Sequence, residues 1–468
     1  MNEPKEAGMQ KPDLTVEDVL RMLVANERAA SHVLNMVPSE NAMSGLAKLP
    51  MLTDAYHRYF FNEQGNPDRW NFRGGQNLWE LETSLTVPLL AQLGKAGHVS
   101  VRPLSGLSAM ALVLASLGGS PGSTVMTISP ENGGHYATGL IAERMGLGVD
   151  CLSGPDPHCL DLEHAAQLLA EKRPSLVYVD QSHCLFPVDI PSLVRTVRTA
   201  SPETLVHVDA SHWFGLVLGG VYANPLDCGA DSFGGSTHKT FPGPQKAVFL
   251  TRSPKVAERV EQTQDYLISS HHFATTISLG MALLEFRDFG GEQYARAVAD
   301  NTRRFGRLLV ERGIPVVAAD RGCSAGHQLW LDTAAEGIAA KVASHRLFQA
   351  GIRVNFMTGL PGFVEAGVRV GLNEPTYRGI TVDDLPELAD IFADAVRDTG
   401  HPSALSARVA RLRGRPGYGF TFEPDSPVLS DAASLYTEAV TAGHDNSDNP
   451  GLPGWPDIRS GREQVSRS

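Results

Sequence analysis

From residue 98 to residue 250, short apolar runs alternate with helical segments, and that rhythm limits the fold more than any other feature of the chain. The runs are His98–Val101, Thr124–Ile128, Val149–Leu152, Leu176–Val179, Leu205–Val208 and Ala247–Leu250. Such alternation predicts an α/β domain, a mostly parallel sheet with helices on both faces, because parallel strands need crossover connections. Ligands gather at the carboxyl ends of the strands in sheets of this kind, and Asp209 stands at one such end. The rhythm changes after a long helical stretch around Ile277–Phe286. Beyond it, Val316–Ala318, Gln328–Leu331, Ile352–Asn355 and Val368–Val370, with helices between and after them, predict a smaller α+β domain over residues 296–424. The large domain takes residues 51–295, with a helix over 78–93. Residues 1–50 form an N-terminal arm, with a helix over 15–35 that Thr15-Val-Glu-Asp18 opens at capping-box spacing. Residues 425–468, rich in Asp, Asn, Gly, Pro and Ser, read as a loosely ordered tail.

A chain of 468 residues has room for both cores. With 40 Lys and Arg against 52 Asp and Glu, its net charge of -12 argues against nucleic acid or an anionic membrane as a partner. Cys151, Cys159, Cys184, Cys228 and Cys323 are scattered, odd in number and without metal-ligand spacing, which points to a reducing compartment and no metal. No apolar run reaches the roughly 18 residues a membrane helix needs. Met1-Asn-Glu-Pro-Lys-Glu lacks an apolar signal core, so the expectation is a cytoplasmic protein.

The chemistry concentrates in two stretches. Gly234-Gly-Ser-Thr-His238-Lys239-Thr240 sets a lysine among small residues that let a planar group approach the backbone. Upstream, Leu205-Val-His-Val-Asp209-Ala-Ser-His212 is an apolar strand ending in a carboxylate and then a histidine. A solvated lysine after a buried strand explains either stretch alone. Together, in this order, they provide what pyridoxal 5'-phosphate requires: an amine for a Schiff base with the cofactor aldehyde, and an aspartate that keeps the pyridine nitrogen protonated. Other candidates gain weight beside these two. Ser105-Gly106, at a strand-to-helix turn, offers backbone N–H groups to a phosphate. His135, after Gly133-Gly134, is placed to lie flat on a ring, and Ser182 is placed to hydrogen-bond a ring substituent. Arg369 in Gly367-Val-Arg369-Val-Gly371 is a guanidinium inside an apolar strand. It needs an anion, either a substrate carboxylate or a structural Asp or Glu.

These landmarks resemble serine hydroxymethyltransferase and its relatives, pyridoxal phosphate enzymes of fold type I, the aspartate aminotransferase-like fold. The resemblance covers residues 30–390 in one order: Val37-Pro-Ser39-Glu-Asn41, Tyr56, Ser105-Gly106, Gly133-Gly-His135, Ser182, Asp209-x-x-His212, Thr237-His-Lys239-Thr and Gly367-Val-Arg369-Val-Gly371. It implies that Lys239 carries the cofactor, Asp209 pairs with the pyridinium and His135 stacks on the ring. It places His212, Ser182 and His238 along the cofactor, Ser105 and Gly106 at its phosphate, and Arg369 and Ser39 at the substrate carboxylate. Tyr56 and the loop at Ser270 are implied to reach a neighbouring subunit's site, which makes the expected assembly a homodimer or a dimer of dimers.

The departures fall on one side of the chemistry. Arg58 stands where the family has a glutamate, Met357 where it has an asparagine at the pterin, and Leu107 where it has a phosphate-side serine. Phe72-Arg73-Gly74-Gly75 replaces Tyr-Tyr-Gly-Gly after an insertion near Phe61–Trp70, and Ser270-His271-His272 replaces Gly-Gly-Pro. Cofactor and amino-acid groups persist, while groups serving folate change, and an arginine cannot donate a proton as a carboxylic acid does. The resemblance therefore implies an L-threonine transaldolase, which cleaves threonine to acetaldehyde and adds the glycyl carbon to an acceptor aldehyde in specialised (antibiotic) biosynthesis. The alternatives are a folate-dependent hydroxymethyltransferase acting on L-serine or α-methylserine, and a silent scaffold of the same fold.

Overall fold

The structure is a computed structural model that describes residues 14–61, 63, 66–414, 422 and 425–441. Its centre is a seven-stranded sheet. In chain order the strands are β1 (His98–Ser100), β2 (Thr124–Ile128), β3 (Gly148–Leu152), β4 (Leu176–Val179), β5 (Leu205–Asp209), β6 (Ser232–Ser236) and β7 (Ala247–Thr251). Their spatial order is β1-β7-β6-β5-β4-β2-β3. Strands β3, β2, β4, β5 and β6 run parallel, while β7 pairs antiparallel with both β6 and β1. The central strands are buried, as expected of a sheet covered on both faces.

Strand β6 is absent from the sequence expectation because Ser-Phe-Gly-Gly-Ser carries none of the β-branched pattern that marks a strand. Its glycines are demanded by neighbours. A Cβ on Gly234 would lie 2.1 Å from the Val248 carbonyl oxygen, and Gly235, at φ +123°, would place one 2.6 Å from Asp209 Oδ1.

A second apolar core joins Leu34 and Met36 to residues 305–412. It surrounds an antiparallel sheet of β8 (Gln328–Leu331), β9 (Asn355–Met357) and β10 (Gly367–Gly371), with β10 in the middle. Two strand expectations are corrected here. Val316–Ala318 makes only an isolated bridge from Val316 to Leu331, and Ala318 turns into the left-handed region at φ 55°. The stretch Ile352–Asn355 divides: Ile352–Arg353 pairs in parallel with Leu34–Asn35, and the chain then starts β9 at Asn355.

The helix expected over 78–93 runs from Gln76 to Gly94 with a widened π-type turn at Glu82–Thr86, and the N-terminal helix spans Val16–Ala30 with its Thr15–Asp18 capping box formed. The tail expectation also changes, because Pro427–Thr441 is a helix without a buried residue. Its Ala- and Leu-containing sequence favours helix over the loop composition that surrounds it. Residues 442–468 of the tail, and residues 1–13, lie outside the described residues.

Candidate active site

A cavity of about 230 Å³ opens at the carboxyl ends of β4, β5 and β6 and is lined by Lys239, Asp209, His135, Ser105, Gly106, Ser182, His212 and His238. Eight of the sequence-predicted residues therefore meet in one place.

Asp209 ends β5 and is held in position from two sides. Its Oδ1 accepts the Ser211 N–H at 2.9 Å, and its Oδ2 accepts the Tyr178 hydroxyl at 3.0 Å. Burial and the neighbouring carboxylate push the Tyr178 phenol up, so it remains a donor. Lys239 sits three residues beyond β6, and burial pulls its amine down to about 8 against the opposing pull of Asp209. Its carbonyl accepts Asn41 Nδ2 at 2.7 Å and Asn373 Nδ2 at 3.1 Å, so two distant segments hold the lysine's backbone.

Ser105 caps the helix Gly106–Leu117 reciprocally with Ser108. First-turn N–H groups of a helix have no intrahelical partner. Gly106 lets this helix start pack closely on β6, since a Cβ there would lie 2.6 Å from Ser236 Oγ. His135 starts the next helix, and its Nδ1 accepts the Ala137 N–H at 3.2 Å, which puts the ring proton on Nε2. Burial keeps this imidazole neutral, and its ring stacks on Tyr136 at 4.9 Å between centroids. The turn is braced by Asp180, which accepts the His135 N–H and the Thr138 hydroxyl and which burial raises to about 7.

Arg369, in the middle of β10, is the cation this site leaves without an anion. Among the described residues no Asp or Glu pairs with it. Its Nε donates to Gln328 Oε1 at 2.8 Å, and one terminal nitrogen meets the Ser182 carbonyl at 3.1 Å and His212 Nε2 at 3.2 Å. The other faces Met357 Sδ at 3.9 Å. Burial lowers its pKa to about 10, so it stays charged. Because Arg369 donates to His212 Nε2, the His212 proton is on Nδ1, which is 3.0 Å from His327 Nε2. Sequence reasoning missed Tyr178, Asp180, Gln328 and His327. Tyr178 lies inside an apolar run, Asp180 directly follows it, and Gln328 and His327 act on residues far away in sequence.

Three predicted residues stand apart from the cavity. Tyr56 is 67% exposed and packs edge-on against His57, Ser270 is half-buried in the loop before helix Phe273–Asp288, and Ser39 is half-buried beside Pro38, which presses on Gly371. Of the arginines that depart from the family pattern, Arg58 pairs with Asp54 at 2.9 Å and Arg73 donates to the Asp68 carbonyl.

The cavity suits pyridoxal phosphate. Ser182 Oγ and His238 Nδ1 are buried there without hydrogen-bond partners among the described residues, and buried polar atoms of this kind call for a polar ligand. The helix that starts at Gly106 opens on the same cavity, and a helix N-terminus suits a phosphate.

Comparison with known proteins agrees with this geometry. Residues 10–392 match the family described as serine hydroxymethyltransferase. A Streptomyces L-threonine:uridine-5'-aldehyde transaldolase is 43% identical over 410 residues, 87% of this chain and 94% of the relative. The fluorothreonine transaldolase of Streptantibioticus cattleyicolor is 34% identical, covering 93% of this chain and 68% of its own. A crystal structure of L-threonine transaldolase from Pseudomonas fluorescens superposes with a TM-score of 0.79 over 90% of this chain and 97% of that one, at 24% identity, which supports the shared fold. The chain belongs to the serine hydroxymethyltransferase family, the pyridoxal phosphate enzymes of fold type I.

Proposed function

We propose that this protein is an L-threonine transaldolase, that its acceptor is a nucleoside-type 5'-aldehyde, and that it works as a homodimer in the cytoplasm. The observation that carries the reading is Arg369, a buried guanidinium paired with no Asp or Glu among the described residues, which meets the Ser182 carbonyl and His212 Nε2 at the wall of the cavity that Lys239 and Asp209 line. An amino-acid carboxylate satisfies it. The bound cofactor supplies an electron sink at the amino acid's α-carbon.

The chain's own residues do the rest. Asp209, gripped by Ser211 and Tyr178, would be the carboxylate that pairs with the cofactor's pyridine nitrogen. Arg369 orients the substrate carboxylate. Lys239, neutral above about pH 8, is the basic group that exchanges with the substrate amine. His135 presents Nε2–H as a donor rather than a base. In the first half, the Cα–Cβ bond of threonine breaks, its hydroxyl loses a proton and acetaldehyde leaves. In the second, the glycyl α-carbon bonds to the acceptor's carbonyl carbon, and that oxygen takes up the proton.

Two positions support folate independence. Arg58 is engaged with Asp54, and Met357 offers only a thioether at Arg369. The names of the more similar relatives give uridine-5'-aldehyde as acceptor. Exposed Tyr56 and the Ser270 loop support a neighbour's site completed across a dimer. The scattered free cysteines fit a reducing compartment, and no helix among the described residues is long and apolar enough to cross a membrane.

The test supplies threonine with a foreign aldehyde against serine with tetrahydrofolate. Acetaldehyde and a β-hydroxy amino acid are expected from the first pair. Efficient methylene-tetrahydrofolate formation from the second, with no aldehyde exchange in the first, returns the protein to the folate-dependent hydroxymethyltransferases.

A further inference from the structure

A second cavity, of about 320 Å³, lies along the same sheet edge, where the chain leaves β2, β3 and β4. Gln181 lines both this cavity and the one that holds Lys239. Its wall is aromatic and cationic. Arg321 lies 4.6 Å over the Phe186 ring and is held there by Asp156 at 2.7 Å. His158 packs against both Phe186 and Trp330, at 5.7 and 5.6 Å between centroids. Trp330 is opposite Arg369 in the β8–β10 register, and the two share Gln328 Oε1. One layer of side chains thus separates the second cavity from the guanidinium that orients the amino acid.

The cavity is preformed. Asn132 Nδ2 donates to the carbonyls of Gly154, Asp156 and Cys159, and its Oδ1 accepts the Gly154 N–H, which closes the 154–159 loop over the space. One polar group is left over: His158 Nδ1 is buried without a hydrogen-bond partner among the described residues.

We propose that this cavity is the acceptor subsite and that it takes a nucleobase-type ring, planar and hydrogen-bonding, while the aldehyde carbon reaches past Gln181 to the amino acid; this rests on the transaldolase reading above. Aromatic rings and guanidinium planes are the surfaces on which nucleobases stack. The Phe186–Arg321 pair provides both, and His158 Nδ1 provides the hydrogen bond that a plain hydrocarbon ring would leave unmade.

Arg321→Ala and His158→Phe separate this subsite from the chemistry. Arg321 is partly exposed, and phenylalanine keeps the packing on Trp330, so both variants should fold. With uridine-5'-aldehyde, KM is expected to rise about tenfold in each variant with kcat within about twofold, the pattern of lost uniform binding. KM for propanal, which cannot fill the cavity, should stay within about twofold, as should acetaldehyde release from threonine alone. Uridine should inhibit competitively against the aldehyde in the wild type and lose that effect in both variants. An unchanged KM for uridine-5'-aldehyde, or an equal rise for propanal, overturns the subsite. A wild type that releases acetaldehyde and accepts propanal but not uridine-5'-aldehyde overturns it too and leaves threonine cleavage standing. A wild type that releases no acetaldehyde removes the underlying reading.

Discussion

Lys239 and Lys246 stand seven positions apart in sequence, and burial pulls both amines down to about 8. Their surroundings differ. Lys239 lines a cavity with Asp209 and Arg369 at hand. Lys246 is fully buried outside every cavity described above; its Nζ has no hydrogen-bond partner among the described residues, and it sits near Glu82 and Arg102. A depressed lysine pKa is therefore not by itself a mark of catalysis. What makes Lys239 chemical is access, a fixed carboxylate and an unsatisfied guanidinium, none of which Lys246 possesses together.

The largest test of that contrast is Lys239→Ala, which should abolish turnover by at least about a thousandfold and remove the cofactor's absorbance band. Borohydride treatment of the holoenzyme should fix the cofactor on Lys239 and leave Lys246 unmodified, read by peptide mass spectrometry. Labelling of Lys246 would erase the distinction. Next is Arg369→Gln, which leaves the cavity's shape but removes a charge-assisted pair worth about 1.5–3 kcal/mol. KM for threonine should rise roughly ten- to a hundredfold, whereas a structural role would appear in melting temperature instead.

Lys246→Met should act on stability alone. The unfolded lysine holds its proton up to its ordinary value of 10.5 and the folded one only to about 8. Between those values the unfolded state binds more protons, so wild-type stability rises with pH. Below about pH 8 the full penalty applies, of order 3 kcal/mol. Methionine removes it, so the apoprotein should melt higher at pH 7 and lose that part of the rise between pH 8 and 10.5. A lower melting temperature would show that Lys246 is paired rather than stranded. The smallest effect is expected of Arg58→Glu, which should alter the response to tetrahydrofolate while leaving acetaldehyde release within about twofold.

Local chemistry made half of this site legible. Asp209 ends an apolar strand, Lys239 follows small residues, and each signal lies within ten residues of sequence. Strand β6 escaped because Gly234 and Gly235 answer to the Val248 carbonyl and the Asp209 carboxylate rather than to strand propensity. Ala318 misled because an apolar triplet says nothing of a left-handed turn. Gln328 and His327 act through Arg369 and His212, more than forty and one hundred positions away respectively, and no local pattern announces such partners. Tyr56 and Ser270 read as site residues only by likeness, and in the single chain they stand away from the cavity.

The double grip on the Lys239 carbonyl bears on the order of folding. Asn41 reaches it from 198 residues upstream and Asn373 from 134 residues downstream, and Asn373 also holds the Glu40 carbonyl, 333 residues away. Contacts this remote close late, because the entropy of closing long loops must be met first. The sheet that carries the lysine can assemble while the chain is still being made, but the lysine is not set until residue 373 has emerged. Refolding followed by colour should then lag behind refolding followed by backbone signal, and a ribosome-bound chain ending before residue 373 should have its sheet and yet hold no cofactor.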